Sequence, residues 1–256
     1  FKELLGRTLF GVGRYKESQH IFNELIDTDP FSTYYWSALA SAQFMDEDYN
    51  NAIQSSEYAL AINPRDPEAL IGKANGLSRL GNFEEALKFY RRYSDEVPDD
   101  EFAIMCQGIC LINLGQTDEA IDILLSAIET ANANDSNTYL SDIYQELAFA
   151  YNDAQQTDKA IEVLDKTDNL DCDHAQMMVV KGHILLEAGR ENDACKTFTN
   201  AIMASKDRIK TWLRISVSVY DNHLTNMAYK MFKLYFDMAP KKNNEGYAYM
   251  ALCCYD

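Results

Sequence analysis

The stretch GNFEEALKFY, Gly81–Tyr90, decides how the rest of the chain is read, because close relatives of it recur. They begin at Gly13 (GRYKESQHIF), Glu47 (EDYNNAIQSS), Gly115 (GQTDEAIDIL), Gln155 (QQTDKAIEVL), Gly189 (GRENDACKTF) and His223 (HLTNMAYKMF). Successive starts lie 34, 34, 34, 40, 34 and 34 residues apart. Self-similarity at a fixed period marks a chain of stacked units, none of which can bury its apolar face alone.

Residues Pro67 to Asp100 show what one unit contains. Leu70, Ala74 and Leu77 share one helix face, and Ala86, Tyr90 and Tyr93 share another. Leu80, Gly81 and Asn82 break the pattern between them. Pro98 ends the second segment, because proline lacks an N–H and disfavours helix in the residue before it. Each unit is therefore expected to be an antiparallel helical hairpin. One slot of the second helix holds Ser18, Ala52, Ala86, Ala120, Ala160, Ala194 and Ala228. A slot of the first helix holds Gly6, Ala40, Ala74, Gly108, Ala148, Gly182 and Ser216. Small against small should bring the axes toward the low end of the usual ~8–10 Å. Phe22, Tyr90, Leu124, Leu164, Phe198 and Phe232 would then fill the flanks. Glu84, Glu85, Asp118, Glu119 and Asp158 fall in first turns, where carboxylates complement the helix dipole. Pro30, Pro64, Pro98 and Pro240 share one slot at the end of a unit.

Composition narrows the class. With 256 residues, 47% hydrophobic and 25% charged, the chain is too apolar to be disordered. No apolar run reaches the ~18 residues that span a bilayer, so no membrane insertion is expected in this segment. A net charge of −17 argues against nucleic acid and anionic lipid as partners. The six cysteines, Cys106, Cys110, Cys172, Cys195, Cys253 and Cys254, form no regular framework. They read as reduced, partly buried thiols, and so point to a cytoplasmic location. The chain begins at Phe1 and stops at Asp256 inside a patterned segment. It therefore reads as a piece of a longer chain, and an upstream signal would instead place it in the periplasm or outside the cell.

The 34-residue period carries Trp36, the Gly6/Gly108/Gly182 slot, the Tyr15/Tyr49/Phe83 slot, and the alanine and proline slots. In these the chain resembles the tetratricopeptide repeat family along essentially its whole length. The resemblance implies an all-α fold, a right-handed superhelical α-solenoid of helix-turn-helix repeats. As a single solenoid, the repeats fall at about 1–32, 33–66, 67–100, 101–134, 141–174, 175–208 and 209–242. A partial eighth repeat spans 243–256, and the long interval leaves an insertion at 135–140, taken up by a longer second helix or a longer loop.

The family's concave groove, lined by the first helix of each pair, commonly holds peptides or partner proteins. Carried onto this sequence, the groove-facing positions include Tyr34, Phe44, Met45, Glu68, Ile71, Asn75 and Arg79. Later repeats contribute Phe102, Met105, Ile109, Phe149, Gln176, Val179, His183 and Glu187. The last complete repeat contributes Lys210, Leu213, Val217, Tyr220 and Asp221, and the final helix Tyr247 and Tyr255. The set is apolar from the fourth repeat onward, which suits an interface. Lys210 and Arg214 match only the last part of the carboxylate clamp found in co-chaperone members. The matching positions in the two preceding repeats hold Gln145, Phe149 and Val180. The implied partner-binding set is thus Ile71, Asn75, Phe102, Met105, Ile109, Phe149, Val179, His183, Lys210, Leu213, Arg214, Val217 and Tyr220.

No arrangement of residues suggests catalysis. Asp171–His174, DCDH, is a linear run between repeats, whereas metal sites draw ligands from several points. Cys106 and Cys110 share a helix face, with no second spaced pair nearby. Gly72–Gly76, GKANG, lacks phosphate-loop spacing and sits on a patterned helix. The expected function is a non-catalytic scaffold for a peptide or protein partner, without cofactor or metal. A peptide-sensing regulatory module, or an accessory module of a membrane or secreted assembly, remains open at this level.

Overall fold

The computed structural model describes residues 1–238 and 244–253. Asn243, Pro240, Cys254 and Tyr255, which the sequence reading assigned to the last repeats, lie outside the described residues. Among the described residues the fold is all-α, an α-solenoid of helix-turn-helix repeats. Two compact units divide it, residues 1–136 and 137–256.

The first unit holds α1 (Lys2–Gly11), α2 (Tyr15–Thr28), α3 (Thr33–Met45) and α4 (Tyr49–Ile62). It continues with α5 (Pro67–Arg79), α6 (Phe83–Glu96), α7 (Glu101–Asn113) and α8 (Thr117–Ala133). The second unit holds α9 (Leu140–Asp153), α10 (Thr157–Asp165), α11 (His174–Glu187) and α12 (Glu191–Ala204). Then follow α13 (Arg208–Asp221), α14 (Thr225–Met238) and α15 (Asn244–Leu252). Within each unit every helix packs on its chain neighbours. In the second, the first helices α9, α11, α13 and α15 also pack on one another in order.

The hairpin turns repeat as closely as the sequence does. The residue opening each of the seven related stretches is left-handed, with φ between 59° and 79° at Gly13, Glu47, Gly81, Gly115, Gln155, Gly189 and His223. The next N–H then reaches back five residues, as from Asn82 to the Leu77 carbonyl at 2.9 Å and from Arg190 to the Leu185 carbonyl at 2.8 Å. This satisfies a carbonyl that the helix end would leave bare. Four first helices start on carboxylate caps: Asp66 accepts from the Ala69 N–H, Asp100 from Ala103, Asp173 from Gln176 and Asp207 from Lys210. The tryptophan and proline slots are tied together, since Trp36 Nε1 donates to the Pro30 carbonyl at 2.9 Å.

All seven residues of the second-helix small slot, Ser18 through Ala228, are fully buried. The packing departs from a simple small-on-small contact, however. A Cβ on Gly6 would meet Phe22 Cζ at 3.1 Å, one on Gly108 would meet Leu124 Cγ at 2.6 Å, and one on Gly182 would meet Phe198 Cε1 at 2.3 Å. The small residue of the first helix receives the bulky side chain one turn beyond the alanine slot. The alanine slot meets backbone, as Ser18 shows by donating its hydroxyl to the Gly6 carbonyl at 2.9 Å.

Two segments break the regularity. α8 is 17 residues long against 14 for α6, and residues 134–139 join it to α9. α10 has only 9 residues and passes into a 3-10 turn, Lys166–Asn169. There Thr167 is fully buried and bonds back to the Leu164 carbonyl at 2.7 Å, a polar anchor in the slot that Ala127 and Ala201 fill elsewhere.

Candidate functional site

The second unit presents a hollow of about 390 Å³ on its first helices, within the ~300–1,000 Å³ typical of ligand sites. α9 supplies Phe149, and α11 supplies Gln176, Val179, Val180 and His183. α13 supplies Lys210, Leu213, Arg214, Val217, Ser218 and Asp221. Helical spacing puts these side chains on one face of each helix, and the stacking of α9, α11 and α13 brings the faces together. Seven residues expected in the binding set therefore line one hollow: Phe149, Val179, His183, Lys210, Leu213, Arg214 and Val217. Tyr220 instead makes an edge-to-face contact with Tyr249, with ring centres 5.6 Å apart.

Depth differs among the seven. Val179 and Leu213 are only 5% and 8% exposed and form a floor shared with the core. Phe149, Val217 and His183 are half-buried, and Lys210 is exposed. His183 Nδ1 lies 3.1 Å from both the Ser218 hydroxyl and the Asn222 amide nitrogen, while its Nε2 is 3.5 Å from Glu187. These contacts fix the ring against the wall.

The cationic pair is less available than its sequence suggests. Arg214 Nη1 is 3.0 Å from Asp173, the cap of α11. Burial pushes the Asp173 carboxyl up, but the Arg214 guanidinium and the Gln176 N–H outweigh it and hold the group below its ordinary value. One polar atom stays unsatisfied. Among the described residues, Gln176 Oε1 is buried and accepts no hydrogen bond. An orphaned acceptor of this kind costs free energy until a donor arrives.

The five expected residues of the first unit are placed differently. Met105 is 6% exposed and belongs to the core. Ile71, Phe102 and Ile109 are half-buried. Asn75 accepts a hydrogen bond from the Tyr90 hydroxyl at 2.7 Å, inside its own hairpin. A hollow of about 530 Å³ in this unit is lined instead by Arg7, Phe10, Tyr34, Ser37, Ser41 and Glu68, among others. Arg7 and Phe10 escaped the sequence reading because its groove positions began with the second repeat. Ser37 and Ser41 escaped it because small polar residues give no apolar signal. Their 34-residue registration with Ile71 and Asn75 was the available clue.

Burial governs the thiols. Cys110 is fully buried, and burial pushes its thiol up to about 11. Cys172 is also raised, first by burial and then by the surrounding aspartates, and its Sγ lies 3.7 Å from His174 Nδ1. Neither environment favours a thiolate. Among the described residues no group of three or more His, Cys, Asp or Glu side chains is arranged to hold a metal. No described helix is long and apolar enough to cross a membrane.

Residues 4–67 match the model of the tetratricopeptide repeat, and residues 45–127 match that of subunit 3 of the anaphase-promoting complex, or cyclosome. No curated protein matches the chain in sequence. Solved structures share its fold. A tetratricopeptide repeat protein from Parabacteroides merdae is 14% identical, with a TM-score of 0.76, over 99% of this chain and 97% of that one. The Cut9 and Hcn1 hetero-tetramer of the APC/C gives 14% identity and a TM-score of 0.64, over 97% of this chain and 48% of the other. YrrB, described as having an unusual peptide-binding site, gives 16% identity and a TM-score of 0.56, over 74% of this chain and 95% of its own.

Proposed function

Because the chain belongs to the tetratricopeptide repeat family, whose fold generally serves as a non-catalytic scaffold for proteins, we propose that it binds a peptide segment of a partner protein in the hollow of its second unit. One observation carries this reading. Residues that the family's pattern assigns to a groove converge from α9, α11 and α13 on one apolar-floored hollow. Half-buried Phe149 and Val217 offer apolar surface that a ligand would cover, at about 25 cal/mol per Å² removed from water.

The test is selection of nonapeptides from a random displayed library on the whole chain. Recovered peptides are then measured against two double variants whose melting is checked. Phe149→Ala/Val217→Asn should weaken binding about tenfold or more. Phe10→Ala/Tyr34→Ala, in the first unit, should leave it unchanged. Equal affinity for the Phe149→Ala/Val217→Asn variant and the native chain would overturn the proposal.

A further inference from the structure

Three carboxylates repeat at the solenoid period, each as the last residue of a first helix: Asp153 of α9, Glu187 of α11 and Asp221 of α13. All three line a hollow of about 480 Å³, and Asp221 also borders the apolar hollow beside it. The placement is doubly unfavourable. A helix C-terminus already carries partial negative charge, and none of these helices has a basic residue in its last turn. The carboxylates also repel one another. The Asp153 and Asp221 carboxyls are raised by burial first and by Glu187 as well. In the first unit the corresponding helix ends are Gly11, Met45, Arg79 and Asn113, so the strip belongs to the second unit alone. At the opposite end of the apolar floor the charge is already balanced, Arg214 against Asp173. Around the strip, by contrast, no lysine or arginine among the described residues lines the hollow; Glu187 meets His183 at 3.5 Å and accepts from the Asn152 amide, and Asp221 lies within the field of His183 and His223.

We propose that the occupant of the groove is an extended protein segment carrying apolar residues beside lysines or arginines, the apolar part on Val179, Leu213 and Val217 and the basic part against Asp153, Glu187 and Asp221. The inference rests on the groove reading and adds to it the charge and the layout of the partner. Like charges held together at a concave edge focus a negative potential there, and a cationic side chain relieves it.

Three labelled peptides with one apolar core, flanked by lysine, serine or glutamate, separate the possibilities when titrated into the whole chain by fluorescence anisotropy. The lysine peptide should bind about tenfold tighter than the serine peptide and lose that advantage as salt rises. Asp153→Asn/Glu187→Gln/Asp221→Asn should bring lysine and serine peptides to equal affinity without weakening the serine peptide. Asp118→Asn/Asp122→Asn/Glu129→Gln removes equal charge from an exposed face of α8 and should leave the preference intact. If the glutamate peptide binds as well as the lysine peptide, or both triple variants act alike, the charge assignment falls while the groove stands. If Phe149→Ala/Val217→Asn binds all three peptides as the native chain does, or no peptide binds, the groove reading falls and takes this inference with it.

Discussion

Gly182 lies directly beneath the ring of Phe198. A Cβ at Gly182 would come within 2.3 Å of Cε1 and 2.6 Å of Cδ1, and Phe198 is itself buried. The pair joins the two helices of the sixth hairpin, so the glycine is required by packing and not by backbone conformation.

Gly182→Ala should therefore destabilise the chain. Overpacking costs about 3 kcal/mol at the upper end, and better helix propensity returns about 1 kcal/mol, leaving a net loss of about 2 kcal/mol. Phe198→Leu introduced together with it should cost less than the sum of the two single changes, since both act on one contact. Gly11→Ala, where nothing lies within 4 Å of the new Cβ, should be neutral or slightly stabilising. Urea unfolding midpoints of the four variants check the order.

The seven left-handed turn residues give the opposite test. Glu47, Gln155 and His223 hold φ of 63°, 59° and 59° without being glycine, a conformation that costs an L-residue about 1–2 kcal/mol. Glu47→Gly and Gln155→Gly should each raise the melting temperature, gaining about 1 kcal/mol. Gly81→Ala and Gly115→Ala, with no neighbour near the new Cβ, should each lower it by a similar amount through backbone strain alone. Thermal melts of matched pairs check both directions.

The carboxylates at the ends of α9 and α13 make stability depend on pH. Their folded pKa values lie above the ordinary aspartate value, chiefly through burial. Their contribution is thus fully present below the unfolded value of about 3.9 and is lost as pH rises through the raised folded value. Asp173 runs the other way, because its folded value is lowered. Asp221→Asn should accordingly flatten the fall in stability above pH ~4 and stabilise the chain at neutral pH. An unfolding midpoint that follows the native pH curve in this variant would contradict the assignment.

Thiol labelling should follow burial. Cys195 is exposed on α12, whereas Cys110 is fully buried with its thiol pushed up to about 11. Iodoacetamide at mildly alkaline pH should modify Cys195 in the folded chain and reach Cys110 only after denaturant is added. Peptide mass mapping reads the two sites separately.

Much of the fold was legible in the chain because its information is local. The turn at Gly81, the alanine at position 86 and the capping Asp66 and Asp100 act within one hairpin, so each recurs with the period. The site was legible only in outline. The family's groove positions include Phe149, Val217 and Lys210, which line the hollow of the second unit, and also Met105 and Asn75, which do not. Met105 went to the core, and Asn75 was taken by the Tyr90 hydroxyl.

The sequence by itself determined the repeating hairpin, its left-handed turns and its small slots, because helix faces and turn chemistry depend on residues three to five apart. Tertiary structure decided which side chains of the inner face stay open. It placed Asp173 against Arg214 and three carboxylates along one edge. Those relations depend on how one hairpin sits upon the next. A periodic pattern, by repeating the same local instructions, does not record them.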